Sequence, residues 1–201
     1  KVSKMTKSTI FVPIYPKAPF HHYGESYEKL TQIYNHLRSE FRCVIMMGDS
    51  SGGGLSLGLC EFFVTEKLRL PNELILIAPW IDLTFSNPEV EKAEVLDPRN
   101  NTSSLRAMAE SWSNGDLTNY KVSPIFGSLK GLNNVTVITG TNDLLYPDCV
   151  KFVEMLNNEN IINKFIVAQK MNHVYPVYPI PEANDAINEI CSIISASSLN
   201  C

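Results

Sequence analysis

No apolar run in the 201-residue sequence approaches the roughly 20 residues needed to cross a bilayer, so no transmembrane helix is expected. The start of the chain lacks the charged and apolar pattern of a secretory signal. There is no basic block: 17 Lys and Arg lie scattered against 21 Asp and Glu, for a formal charge of −4, which argues against a nucleic-acid footprint. The one basic concentration, Lys1, Lys4 and Lys7, reads as a solvated, frayed terminus. No Cys-x-x-Cys pair occurs. Cys43, Cys60, Cys149, Cys191 and Cys201 are far apart, which argues against a zinc site. They are expected to be free thiols acting as small core hydrophobes in a reducing compartment, hence a cytoplasmic protein. Repeats and low-complexity tracts are also missing. What remains is a chain 44% hydrophobic, long enough for one well-buried domain over 1–201 and too short for two.

Its first half alternates strand-like and helical patterns. Residues 8–14, 43–47 and 73–78 are short, β-rich apolar runs. Between the first two, Tyr27, Leu30, Ile33, Tyr34, Leu37 and Phe41 recur every three or four residues and give a helix one apolar face over 26–41. A helix over 51–67 follows the second run. The alternation resumes later, with strands expected at 135–140 and 163–168 and helices at 147–157 and 182–195. Strands that are apolar throughout, not alternating, are buried on both faces, as in a parallel sheet flanked by helices. Residues 84–122 break the rhythm: they are polar and strandless, with a weak helical pattern at Leu105, Met108 and Trp112, and read as a cap inserted over the sheet's carboxyl edge.

The most informative stretch is Gly48-Asp49-Ser50-Ser51-Gly52-Gly53-Gly54, between the run ending at Met47 and the following helix. It contains Gly-x-Ser-x-Gly in a strand–turn–helix context, the setting of a nucleophile elbow. The small residues are needed because strand and helix pass close on either side of a serine in a strained backbone conformation. A serine hydroxyl attacks poorly until a base takes its proton, and the base needs an orienting acid. Asp143 lies just past strand 135–140, and His173, 30 residues further on, lies past strand 163–168. Both therefore fall in loops at the carboxyl edge where the elbow points. Asp148, near the start of a helix, and Asp82, after strand 73–78, are the rival acids. His21, His22 and His36 are the rival bases, disfavoured by chain order or by a place within a helix. Ser50, Asp143 and His173 form the favoured set.

Taken together, several segments resemble the hormone-sensitive-lipase branch of the α/β-hydrolases. They are Tyr15-Pro16-Lys17-Ala18-Pro19-Phe20, Gly48 to Gly53, Ala78-Pro79-Trp80-Ile81-Asp82-Leu83-Thr84, Ser123-Pro124, Gly140 to Leu145, Asp148 and Met171-Asn172-His173. They run in the family's order over most of residues 8–197. The resemblance implies an α/β-hydrolase fold and hydrolysis of small carboxylic esters of short or medium acyl chain, without metal or cofactor. It places Ser50, Asp143 and His173 as the triad, Ser51 as the oxyanion-hole N–H, and 84–122 in the cap. Trp80, Ile81, Val174 and Tyr175 flank this site and are candidates for an acyl pocket, with core packing the competing role.

One departure stands out. The family's His-Gly-Gly-Gly loop, which supplies further oxyanion donors, precedes the Tyr-x-x-Ala-Pro segment, and here that region is absent together with the first strands of the sheet. Either the sequence is a fragment, which a start at Lys1 favours, or the enzyme is shortened and weak, since one lost donor costs about 10²–10³ in rate. An incomplete sheet exposes an apolar edge and leaves self-association open. A hydrolase-fold binding module without turnover, and amide hydrolysis by the same triad, are the rival functions.

Overall fold

The computed structural model describes all residues, 1–201. Four strands, β1 (Ile45–Asp49), β2 (Glu73–Ile77), β3 (Val135–Gly140) and β4 (Asn163–Ala168), pair in chain order and all run parallel. Each crossover carries helix or loop. The helices are α1 (Val2–Thr6), α2 (Tyr23–Glu40), α3 (Ser51–Thr65), α4 (Glu89–Glu94), α5 (Thr102–Ser113), α6 (Tyr146–Asn158) and α7 (Pro181–Asn200). No helix is long and apolar enough to cross a membrane.

The continuous apolar strands are explained by a core on each face. In β2, Leu74 and Leu76 point into a cluster with Leu57 and Cys60 of α3 and Phe152 and Leu156 of α6. Ile75 and Ile77, half a pleat away, join Ile138, Ala186, Ile190 and Ile194 under α7. Successive side chains leave a strand on opposite sides, so burial of both faces demands apolar residues at every position. α3 is enclosed on most sides, with Leu57 and Phe63 fully buried, which is why it lacks a polar stripe. α2 is amphipathic and seats Tyr27, Leu30 and Tyr34 against α3, with Tyr34 stacked on Phe63 at 4.3 Å between ring centres.

Several expectations need correction. Residues 8–14 form no strand: the segment is irregular, and Val12 and Ile14 are 81% and 96% exposed. Its residues are β-rich, but a strand needs a partner, and β1 pairs only with β2. β1 also begins two residues later than its apolar run. The terminal lysines are not on a frayed end. Residues 2–6 form α1, which packs on α7 through Val2, with Lys1 Nζ hydrogen-bonded to Asn184 Oδ1. The cysteines are not all free. Cys43 and Cys201, 158 residues apart with Cα atoms 5.6 Å apart, are joined in a disulfide, while Cys60, Cys149 and Cys191 are free and buried.

Candidate active site

The β1–α3 turn sets the site. Ser50 has φ 52° and ψ −122°, a positive φ that a side chain rarely tolerates. Backbone bonds hold it there. Its N–H donates to the Ile77 carbonyl at 2.9 Å, and its own carbonyl accepts from Gly53, Gly54 and Trp80 N–H at 3.0, 3.1 and 2.9 Å. The flanking glycines are there for space: a Cβ on Gly48 would collide with the Gly52 carbonyl, and one on Gly54 with the Trp80 carbonyl. Strand, helix and the loop after β2 therefore converge on the serine at backbone contact distance.

The loops after β3 and β4 are tied to each other, and that tie places the other two groups. Thr141 N–H donates to the Ala168 carbonyl and Asn142 N–H to the Met171 carbonyl, at 3.1 and 2.9 Å. Thr141 Oγ1 accepts from Lys170 N–H at 2.8 Å. His173 Nδ1 then lies 2.9 Å from Asp143 Oδ2, and His173 Nε2 2.9 Å from Ser50 Oγ. Asp143 is fully buried. Its second oxygen accepts from Leu145 N–H at 2.9 Å, so the carboxylate is fixed from both sides. The preceding N–H in that loop, of Leu144, donates to Asp97 Oδ2 of the 84–122 stretch at 3.0 Å. Ser51 opens α3, where an N–H has no partner within its own helix, and its residue lies beside Ser50 on the same cavity.

The rival groups are engaged elsewhere. Asp82 spends its carboxylate on its own turn, accepting from N–H and Oγ of both Thr84 and Ser86 at 2.5–3.2 Å. Asp148 accepts from Asn87 Nδ2 at 2.9 Å, and burial raises its carboxyl to about 6. His22 caps α2 by accepting from Gly24 N–H, His21 pairs with Glu25, and His36 is exposed on α2.

A cavity of about 260 Å³ opens beside Ser50. Trp80 lines it. Ile81, Val174 and Tyr175 do not. Ile81 is fully buried against α3 and α6, and Val174 and Tyr175 lie in the core under α7. All three follow strand ends near the site in sequence, but their side chains turn into the protein's interior. The wall missed from sequence is α5, whose Leu105, Met108 and Trp112 face the serine across the cavity. Their three- and four-residue spacing gave the helix away, but nothing in it said which surface that face would meet.

A parallel sheet bearing a serine on a strained strand–helix turn, faced by a histidine and an aspartate from later strand ends, defines the α/β-hydrolase class. A family model described as alpha/beta hydrolase fold matches residues 1–177. An esterase of Acinetobacter venetianus is 26% identical over 193 residues, covering 92% of this chain and 64% of its own. An acetyl-hydrolase of Streptomyces hygroscopicus is 27% identical over 147 residues, covering 72% of this chain and 49% of its own. The crystal structure of the hormone-sensitive-lipase homologue EstE7, from a metagenome library, superposes with a TM-score of 0.93 at 25% identity, over 98% of this chain and 70% of that one. The chain belongs to the α/β-hydrolase family, in its hormone-sensitive-lipase-like branch. It spans less than two thirds of the length of these two curated relatives.

Proposed function

We propose that the protein hydrolyses carboxylic esters through an acyl-enzyme on Ser50. The observation that carries this reading is the unbroken chain of 2.9 Å contacts from Ser50 Oγ through His173 to Asp143. Ser50 Oγ attacks the ester carbonyl carbon while His173 Nε2 takes its proton. Asp143 accepts from Nδ1–H, which fixes the tautomer and stabilises the imidazolium. The carbonyl oxygen becomes an oxyanion and receives the Ser51 N–H. Collapse breaks the bond to the alcohol, which leaves with the proton from His173. Water, deprotonated by the same imidazole, then releases the acid and restores the serine.

The largely apolar cavity supports short or medium acyl groups as substrates, with Trp80 and the α5 face as walls. Residues 84–122, which carry that face and the Asp97 contact to the Asp143 loop, are in this reading a cap on a single hydrolase domain. A fluorophosphonate probe and p-nitrophenyl butyrate, used with the full-length protein, test the mechanism. The expected result is one covalent adduct on Ser50, and loss of both labelling and turnover in Ser50→Ala. Turnover that survives this substitution would remove Ser50 from the mechanism.

A further inference from the structure

Glu61 is a buried acid that the hydrolytic site does not use. It lies on α3 eleven residues past Ser50, about 16 Å along the helix at 1.5 Å per residue, so it belongs to a different part of the molecule. The residue is 3% exposed, and neither carboxyl oxygen has a hydrogen-bond partner. The hydroxyl of the fully enclosed Tyr27 is unpartnered as well. A buried carboxyl without donors costs several kcal/mol. An apolar side chain would serve the core better, so the bare acid calls for a ligand.

The surroundings are shaped around it. The carboxyl rests against Gly127, where any Cβ would collide with it. Both residues line a cavity of about 560 Å³, separate from the one beside Ser50 and walled by Thr65, Tyr120 and Phe126, with Lys130 at its exposed rim. We propose that this cavity is a binding site for a small organic ammonium ion, with Glu61 as its counter-ion.

Three observations select that chemistry. The orphaned oxygens are acceptors and require a donor, and a cationic donor gives the strongest bond. No group of three His, Cys, Asp or Glu converges anywhere in the chain, so Glu61 has no co-ligands for a metal ion. The Tyr120 and Phe126 rings suit an alkylammonium, whose carbon chain packs on aromatic faces while its charge is attracted to them. Lys130 at the rim disfavours a ligand with a second positive charge. The titratable groups facing Glu61 are Tyr27 of α2, its neighbour Cys60 and Tyr120, all neutral in the physiological range. Burial holds Glu61 in its protonated form, at about 9. An entering ammonium ion therefore converts the acid to carboxylate, and the proton goes to solvent.

Ethylammonium chloride is the probe, with sodium chloride at equal ionic strength as control. Saturable calorimetric binding is expected at pH 7. Titration in two buffers of different ionisation enthalpy should show about one proton released per ion bound. Glu61→Gln keeps the shape and removes the charge. It should weaken binding by about tenfold or more while ester turnover is unchanged. In the unmutated protein, the carboxyl carbon of ¹³C-labelled Glu61 should move from its acid to its carboxylate NMR position as the ion is added. Absent saturable binding, equal binding to the glutamine variant, or an unmoved Glu61 resonance each overturns the proposal.

Discussion

Ser50 Oγ and His173 Nε2 lie 2.9 Å apart although 123 residues separate them in the chain. Neither residue is held by the other. The serine is fixed by backbone bonds within the β1–α3 turn and to the loop after β2, and the histidine by the paired loops after β3 and β4. The contact thus forms without substrate, and in the proposed mechanism ester binding has no reorganisation of these two groups to drive.

That fixity has a backbone cost at Ser50, whose φ of 52° strains any residue with a Cβ by about 1–3 kcal/mol. Ser50→Gly should therefore be more stable than Ser50→Ala by about 1 kcal/mol, with neither variant turning over ester. Urea denaturation of the two variants measures the difference. An alanine variant as stable as the glycine variant would show that the turn is relaxed.

Asp143→Asn preserves size and the bond from Leu145 N–H to the side-chain oxygen, but it can present an amide donor to His173 Nδ1. That stabilises the tautomer with its proton on Nε2, where it cannot accept from Ser50. The expected result is a fall in kcat of about 10²–10⁴ with KM little changed, since the carboxylate does not touch substrate. Steady-state kinetics with p-nitrophenyl butyrate separate the two parameters. A purely raised KM would assign Asp143 to the binding of substrate.

The sheet and the three linked polar groups were legible because each had a local signature. Four apolar runs became four parallel strands, and Gly48 and Gly54 marked a turn in which strand, helix and the following loop approach at backbone contact distance. Asp143 and His173 were picked out by topology, as polar residues just past strand ends, and the fold brings both to Ser50. What failed depended on partners remote in sequence. Residues 8–14 have strand composition but pair with neither edge of the sheet, and Cys43 is paired with a cysteine at the far terminus. Ile81, Val174 and Tyr175 were near the site in sequence, and only the fold decides that they turn inward.

Met108 lies 58% exposed on α5 with its side chain at the cavity beside Ser50. On the proposed mechanism, Met108→Ala removes apolar contact surface that a bound ester would keep throughout the reaction. KM for p-nitrophenyl butyrate should rise by about fivefold with kcat unchanged, an effect of about 1 kcal/mol. A smaller rise is expected for the acetate, which reaches less of the wall. Equal effects on both esters would move the acyl group away from α5.

Glu61 links stability to pH with a definite sign. Burial raises its carboxyl from the ordinary 4.5 to about 9 in the native protein. Between those values the unfolded chain has released the proton and the native protein still holds it. Stability contributed by this group therefore falls as pH rises from about 4.5 to about 9, by at most about 1.4 kcal/mol per pH unit, and is constant outside that window. Glu61→Gln does not titrate. Its melting temperature relative to the unmutated protein should climb steadily from pH 5 through pH 9, and taking the difference cancels the contribution of Asp148, which has the same sign at lower pH. Differential scanning calorimetry of both proteins at pH 5, 7 and 9 makes the comparison. Parallel curves would mean that Glu61 ionises as freely in the folded protein as in water, and that its carboxyl is hydrated where the structure has it enclosed.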